Sequence, residues 1–240
     1  MFQRFLSVGD VDRAQHTFRK LARHGIRQWA VTGGFAIEIQ HWRLGGQVSV
    51  RSLNDIDFVT SSFECIPETL ADDFLFRHIH PLDPPGKIML QFIDPNSALR
   101  VDLFRADGAT MDRTSPQEIP SGTFQLLSIE DLVAREARLT LDLAQNVSVM
   151  SKHARDFLRL MQLVDPAQVG TAWQDHRRPK HPLTFTETNR LLQDLIPAHP
   201  ELLITPEYSN DAEKVCTRCR STDTFPLADP RMIVSLLGYC

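Results

Sequence analysis

The stretch RSLNDIDFVT, residues 51–60, decides the fold, because it is typical of a strand and carries two aspartates one residue apart. Side chains at positions i and i+2 of a strand leave the same face, so we expect Asp55 and Asp57 to point together. Ile56 and Phe58 then enter the core beneath them. Adjacent carboxylates repel each other unless a cation lies between them. This segment therefore predicts a strand with a cation-binding face.

Two further segments supply the other parts of a site. VTGGFAIEIQ, residues 31–40, places Gly33 and Gly34 at a strand-to-helix turn, and ALRVDLFRA, residues 98–106, carries Asp102 on a later strand. A third carboxylate from a neighbouring strand would complete a ligand set for one or two hard divalent ions, which take oxygen ligands and substrate phosphates. The expected ion is Mg²⁺ or Mn²⁺. Together the three segments predict a site that handles a nucleotide.

The composition is that of a folded protein without a strong electrostatic bias. The chain has 240 residues, 42% of them apolar, and a formal charge of −4. It has no overall basic field, so non-specific binding of nucleic acid through phosphate neutralisation is not indicated. A local basic groove and a solvated helix face are alternative interpretations of the Arg and Lys residues at 135, 138, 152, 155, 159, 177, 178 and 180.

Targeting and redox signals are weak. The N-terminal stretch MFQRFLSVGDVDRAQ lacks an apolar core of signal-peptide length, and no run of about 18 apolar residues occurs. We therefore expect a cytoplasmic protein without a membrane partner. The four cysteines, at 65, 216, 219 and 240, are too few and too unevenly spaced for a disulfide framework. Cys216 and Cys219 form one CxxC, for which reduced thiols and a structural zinc site are the alternatives.

The pattern of apolar residues and turn signals predicts an α+β fold in two parts. Residues 1–127 should form an α/β domain with a mixed, largely antiparallel sheet and flanking helices. Residues 128–240 should form a helical C-terminal domain with an irregular segment at about 200–229. Strands are expected at 28–32, 55–60, 76–80, 87–93 and 99–105, and residues 124–127 could belong to a last strand. Helices are expected at 10–23, 35–42, 67–74, from 128 onward, and at 151–164, 166–176, 186–196 and 230–238.

The order of these motifs resembles a known superfamily. A Gly-Gly turn before a helix, then an Arg followed by Asp-x-Asp on a strand, then a third Asp on a later strand is similar to the nucleotidyltransferase superfamily that includes polymerase beta. The stretches GGFAIEIQHWRLGG, RSLNDIDFV and MSKHARDFLRLM most resemble the abortive-infection nucleotidyltransferase toxins and the small antibiotic nucleotidyltransferases. The resemblance covers residues 28–105 and extends more weakly to about 165. It implies a nucleotidyltransferase-like mixed sheet followed by a helical domain.

The resemblance also implies a role for each part of the site. Gly33 and Gly34 would let the backbone approach a nucleoside triphosphate such as ATP, at a helix N-terminus that favours negative charge. Asp55 and Asp57 would hold the ion that binds the β and γ phosphates and share a second ion with Asp102. Asp102 would also assist as general base. The implied reaction moves a nucleoside monophosphate to a hydroxyl acceptor and releases pyrophosphate.

Two basic residues are further candidates for nucleotide binding. Arg51 precedes the acidic strand and could contact a phosphate or pair with Asp55, and an ordinary surface arginine is the alternative. Lys152 lies where the toxin relatives carry a basic and acidic helical motif facing the nucleotide. An ordinary helical pair of Lys152 with Asp156 explains the same residues.

The acceptor is open among RNA, a protein hydroxyl and a small hydroxylated molecule. The resemblance to toxins implies that a partner antitoxin could exist. The alternative function is a non-catalytic nucleotide-binding or interaction protein that retains the fold. A separate, purely structural interpretation is that the aspartates at 55 and 57 belong to an exposed edge strand, where acidic residues discourage aggregation.

Overall fold

The computed structural model of the chain describes residues 1–26, 28–63, 66–67, 69–81, 87–144 and 152–203. The strands are β1 Trp29–Thr32, β2 Asp55–Thr60, β3 Leu75–Pro81, β4 Lys87–Asp94, β5 Leu99–Arg105, β6 Ser115–Ile119 and β7 Gly122–Leu126. The α-helices are α1 Val8–Arg23, α2 Gly33–Arg43, α3 Leu70–Asp73, α4 Ile129–Ala144, α5 His153–Leu160, α6 Gly170–His176 and α7 Phe185–Ala198. Short 3-10 helices lie at Phe2–Arg4, Thr110–Arg113, Pro166–Val169 and Pro200–Leu203.

The strands form one seven-stranded mixed sheet in the order β3-β4-β5-β2-β1-β7-β6. β1 pairs antiparallel with β2 and parallel with β7, and β2 pairs parallel with β5. The other pairs are antiparallel, β3 with β4, β4 with β5 and β6 with β7. The predicted α+β class with a mixed, largely antiparallel sheet is therefore confirmed.

The centre of the sheet packs on α1 through aromatic side chains. β1 is buried along its whole length, and β2 alternates between half-buried and buried residues over its first four positions. The ring of Phe58 in β2 lies 6.0 Å from that of Phe18 in α1 and 5.8 Å from that of Trp29 in β1, measured between centroids. Such aromatic pairs each contribute about 0.5–1.5 kcal/mol beyond the area they bury. Because Phe58 is anchored there, Asp55 and Asp57 leave the opposite face of β2.

The helical part of the chain begins with α4, whose first turn is capped by Ser128. The hydroxyl oxygen of Ser128 accepts a hydrogen bond from the backbone N–H of Asp131 at 3.0 Å. Leu132 and Ala137 of α4 are fully buried in the same hydrophobic cluster as the central strands. The core is thus continuous across residue 127, and the division into two domains there stays a prediction.

Several elements differ from the sequence-based expectations. The helix expected at 151–164 is shorter, because α5 ends at Leu160 and residues 161–163 form turns. The helix expected at 67–74 is reduced to the single turn of α3. The helix expected at 166–176 starts as a 3-10 helix, because Asp165 accepts a hydrogen bond from the backbone N–H two residues later at 3.0 Å, and α6 begins only at Gly170. Strand β6 was missed because its sequence SPQEI is polar and contains Pro116. It lies at the edge of the sheet, where proline is tolerated.

Several expectations concern residues outside the described part of the chain. These are the helix at 230–238, the irregular segment beyond residue 203, and all four cysteines, including the CxxC. The first residues of that segment, Pro200–Leu203, form a 3-10 helix. Among the described helices, none combines the length and the apolar character needed to span a lipid bilayer.

Candidate active site

The register of two neighbouring strands brings the predicted acids together. In the parallel pairing of β2 with β5, Asp57 lies opposite Asp102, and Asp55 lies opposite Arg100. Ile56, between the two aspartates of β2, is fully buried. All three aspartates therefore stand on one face of the sheet, as alternation along the strands predicts.

The three carboxylates are close enough to share a cation. One oxygen of each of Asp55, Asp57 and Asp102 lies within 4.8 Å of the others. Asp102 is buried, whereas Asp55 and Asp57 are half-buried, so the group is sheltered but open on one side. An all-oxygen set of this kind is the donor set that Mg²⁺ and Mn²⁺ prefer. The residues fit the ions that the sequence predicts.

Burial and repulsion from neighbouring carboxylates make Asp57 and Asp102 hard to ionise when no cation is bound. Burial raises the pKa of Asp57, and the charge of Asp55 raises it further. Burial also raises the pKa of Asp102, against the opposing charge of Arg100. A divalent cation among the carboxylates would favour their charged forms and reverse both shifts.

Gly33 is required where it stands, at the first position of α2. Its φ of +63° lies in the left-handed region, which side chains other than glycine rarely adopt. A Cβ atom placed on Gly33 would overlap the carboxylate of Asp57. The Gly-Gly turn therefore lies directly against the acidic group, and the N-terminus of α2 points toward it.

The two predicted basic residues converge on the second glycine. A Cβ atom on Gly34 would lie 3.0 Å from Nη1 of Arg51 and 3.5 Å from Nζ of Lys152. An open cleft of about 340 Å³, part of it solvent, adjoins this point. Its lining includes Gly34, Phe35, Arg51, Leu53, Asp55 and Lys152. The structure thus brings Gly34, Asp55 and both basic candidates to one cleft.

Arg51 pairs with Glu38 and Asp156, and not with Asp55, the partner considered from the sequence. Its Nε donates to Glu38 at 2.6 Å, and its two terminal nitrogens donate to Asp156 of α5. Arg159 donates to the two carboxylate oxygens of Glu38 at 2.6 Å and 2.9 Å. Although burial acts to raise the pKa of Glu38, the hydrogen bond from Arg159 and the charge of Arg51 outweigh it and lower the pKa. These two acids and two arginines tie α2 to α5.

Arg100 is a site residue that the sequence analysis missed. Its Nη2 contacts Asp55, and its Nε lies 3.1 Å from Oδ1 of Asp102. Gln91 of β4 donates a hydrogen bond to the same oxygen of Asp102 at 2.8 Å. The spacing of Arg100 and Asp102 in LRVDLFR was the available signal, because residues two apart on a strand share a face.

The helical part contributes a second cation, Arg135, which the sequence analysis considered only as part of a basic groove or a solvated helix face. The guanidinium of Arg135 in α4 lies 5.9 Å from the ring centroid of Phe104, which shares a face of β5 with Asp102. Burial raises the pKa of Asp57, and the charges of Arg135 and Lys152 oppose that increase. Arg135 also donates to Glu136 at 2.8 Å. Helices α4 and α5 thus place positive charge beside the acids of the sheet.

The chain was compared with known families, sequences and structures. No protein-family model and no curated protein sequence matches it. It is similar to an antigenic nucleotidyltransferase-like protein from Paracoccidioides brasiliensis, with 16% identity and a TM-score of 0.44 over 80% of this chain and 90% of that one. It is also similar to the antibiotic-resistance factor ANT(2'')-Ia, with 15% identity and a TM-score of 0.43 over 80% of this chain and 100% of that one. We base the function on the acidic site itself.

Proposed function

We propose that this protein is a metal-dependent nucleotidyltransferase, which moves a nucleoside monophosphate from a nucleoside triphosphate to a hydroxyl acceptor. The observation that carries the proposal is the convergence of Asp55, Asp57 and Asp102 against the backbone of Gly33. An acidic cluster that served only to keep an edge strand soluble would not need a glycine at φ +63° pressed against one of its members. Nor does β2 lie at an edge, since it pairs with strands on both sides.

The three aspartates would hold the divalent ions, for which we propose a pair of Mg²⁺ or Mn²⁺. When bound, the ions would neutralise phosphate charge and lower the pKa of the acceptor hydroxyl. The carboxylate of Asp102 would accept the hydroxyl proton. The acceptor oxygen then forms a bond to the α-phosphorus, and the bond from that phosphorus to the oxygen bridging to the β-phosphate breaks, so pyrophosphate leaves with the electron pair.

The triphosphate would bind along the cleft beside the acids. The N-terminus of α2 offers backbone N–H groups and the positive end of the helix dipole, and Gly33 and Gly34 allow close approach. Lys152 and Arg135 add positive charge from the helical part. We propose that Arg51 acts on the same nucleotide through its contact with Asp156, which fixes α5 beside the cleft.

A direct transfer assay tests this proposal. The protein is incubated with each of four labelled nucleoside triphosphates and Mg²⁺ or Mn²⁺, with total RNA, a protein mixture or hydroxylated small molecules as acceptors. Mass analysis then identifies the acceptor that gains a nucleoside monophosphate. The matched variants are Asp57→Asn, which should abolish transfer, and Asp12→Asn, which removes one exposed carboxylate on α1 and should leave it unchanged.

A binding measurement separates catalysis from binding alone. Mn²⁺ with a triphosphate should raise the melting temperature of the wild type, because a ligand that binds only the folded state stabilises it. If the melting temperature rises but no acceptor is modified, the protein binds nucleotides without transferring them. If no triphosphate raises it and no transfer occurs, the proposal is wrong.

A further inference from the structure

Arg100 stands in the acidic face with its positive charge among the predicted metal ligands. It precedes Asp102 by two positions on β5 and lies opposite Asp55 in the pairing of β2 with β5. Arg100 therefore shares the face of the three acids by the same alternation that aligns the acids with one another. Its side chain is 27% exposed, so most of the guanidinium is withdrawn from solvent.

The contacts of Arg100 span two of the three carboxylates. Nη2 contacts Asp55, and Nε lies 3.1 Å from Oδ1 of Asp102. The oxygens of these residues belong to the group that lies within 4.8 Å and fits a divalent cation. A guanidinium and a metal ion cannot both occupy the space between the same two carboxylates, so they compete for it.

We propose that Arg100 is an internal counter-cation, which holds Asp55 and Asp102 in the metal-free protein and releases them when a divalent cation binds. This inference rests on the proposed function, because it takes the three aspartates as the metal ligands. It makes Arg100 a residue that weakens metal binding by direct competition. Removing it should therefore tighten the binding of a metal alone.

The displaced guanidinium then needs another anion. A largely withdrawn positive charge without a partner is costly, and the nearest new anion would be a triphosphate bound at the same ions. Arg100 would thus move from carboxylate to phosphate, which couples metal binding to nucleotide binding. The two effects of its removal have opposite signs, whereas a merely structural role would weaken both.

The first experiment measures Mn²⁺ binding without nucleotide by isothermal titration calorimetry. We expect Arg100→Gln to lower the Kd for Mn²⁺ about tenfold, which corresponds to about 1.4 kcal/mol. Arg100→Lys, which keeps the charge, should fall between this variant and the wild type. The control is Arg105→Gln, which removes the same charge from an exposed position on the opposite face of β5 and should leave the Kd unchanged.

The second experiment measures the affinity for a non-hydrolysable triphosphate analogue at saturating Mn²⁺. We expect Arg100→Gln to weaken it about tenfold and Arg105→Gln to leave it unchanged. Circular dichroism and melting temperature show that each variant is folded. If Arg100→Gln failed to fold, Arg100→Lys would carry both measurements.

The outcomes separate this inference from the proposed function. If the wild type binds Mn²⁺ and Arg100→Gln binds it equally or more weakly, the counter-cation role is wrong while the metal site stands. The role is also wrong if Arg100→Gln binds both Mn²⁺ and the triphosphate analogue more tightly than the wild type does. If neither the wild type nor the variant binds Mn²⁺, both proposals fall together.

Discussion

Replacing Gly33 with alanine tests whether the Gly-Gly turn is built against the acidic site. The substitution adds a single methyl group, but at a φ of +63° and at a point where the Cβ would overlap the carboxylate of Asp57. Gly25→Ala is the matched control. Gly25 has a similar φ of +69°, and a Cβ placed on it would meet no atom within 4 Å among the described residues.

The difference between the two variants follows from these geometries. An alanine in the left-handed region costs about 1–2 kcal/mol, which both variants incur. In Gly33→Ala the side chain of Asp57 must also leave its preferred rotamer, which costs about 0.5–1.5 kcal/mol more. We therefore expect losses of about 1.5–3.5 kcal/mol for Gly33→Ala against about 1–2 kcal/mol for Gly25→Ala.

Urea denaturation and Mn²⁺ calorimetry provide the two measurements. Gly33→Ala should be less stable than Gly25→Ala and should bind Mn²⁺ at least about tenfold more weakly than the wild type, because Asp57 is displaced. In an Asp57→Gly background most of the extra loss should disappear, since the carboxylate and the Cβ of Asp57, which both lie within 3.0 Å of the new Cβ, are gone. Equal losses for the two variants, together with wild-type Mn²⁺ binding by Gly33→Ala, would refute the reasoning.

Three further predictions concern charge. Asp57→Asn should stabilise the metal-free protein by about 1 kcal/mol, because it removes a carboxylate whose charged form is disfavoured by burial and by its neighbours. The control Asp12→Asn should leave the stability unchanged. Urea denaturation measures both variants, and a loss of stability in Asp57→Asn would contradict the repulsion argument. A raised acid pKa means that the folded state binds more protons than the unfolded one, so the stability that Asp57 contributes should fall as pH rises from 3.8 to about 7. The melting temperature of the wild type should fall over this pH range, and that of Asp57→Asn should fall less. Parallel plots of melting temperature against pH for the two proteins would exclude this contribution of Asp57. Glu38→Gln should lower the free energy of unfolding by about 3–5 kcal/mol, because it leaves Arg51 and Arg159 with Asp156 as their one remaining acid. The exposed Glu118→Gln should cause no measurable loss. A similar urea midpoint for the two variants would show that the ion-pair network of Glu38 is dispensable.

The parts of the site that sequence reasoning found obey local rules. Asp55 and Asp57 share a face because strands alternate, and Gly33 was recognised because a glycine pair between a strand and a helix is typical of a tight turn. Arg100 obeys the same alternation with Asp102, but the sequence analysis did not include it, because an arginine is not a metal ligand. The spacing that found the acids was sufficient to find their counter-ion.

Other parts of the site have no local signal. Arg51 meets Glu38 across 13 positions and Asp156 across 105, and Arg159 meets Glu38 across 121. Each of these charges, taken alone, is typical of a solvated helix face or loop. Only the packing of α5 on α2 decides that Glu38 is fully buried, and that packing is a tertiary property.

The pairing of Arg51 with Asp156 explains how the helical part can serve a site built on the sheet. Asp156 lies four residues after Lys152, about one helical turn, so the two side chains lie on the same side of α5. By donating to Asp156, Arg51 fixes the rotation of α5 about its own axis. Lys152 is then held with its Nζ 3.5 Å from a Cβ placed on Gly34. Since the guanidinium of Arg51 already donates to Glu38 and Asp156, we infer that Arg51 positions Lys152, and that in the proposed function Lys152 supplies the positive charge for the nucleotide.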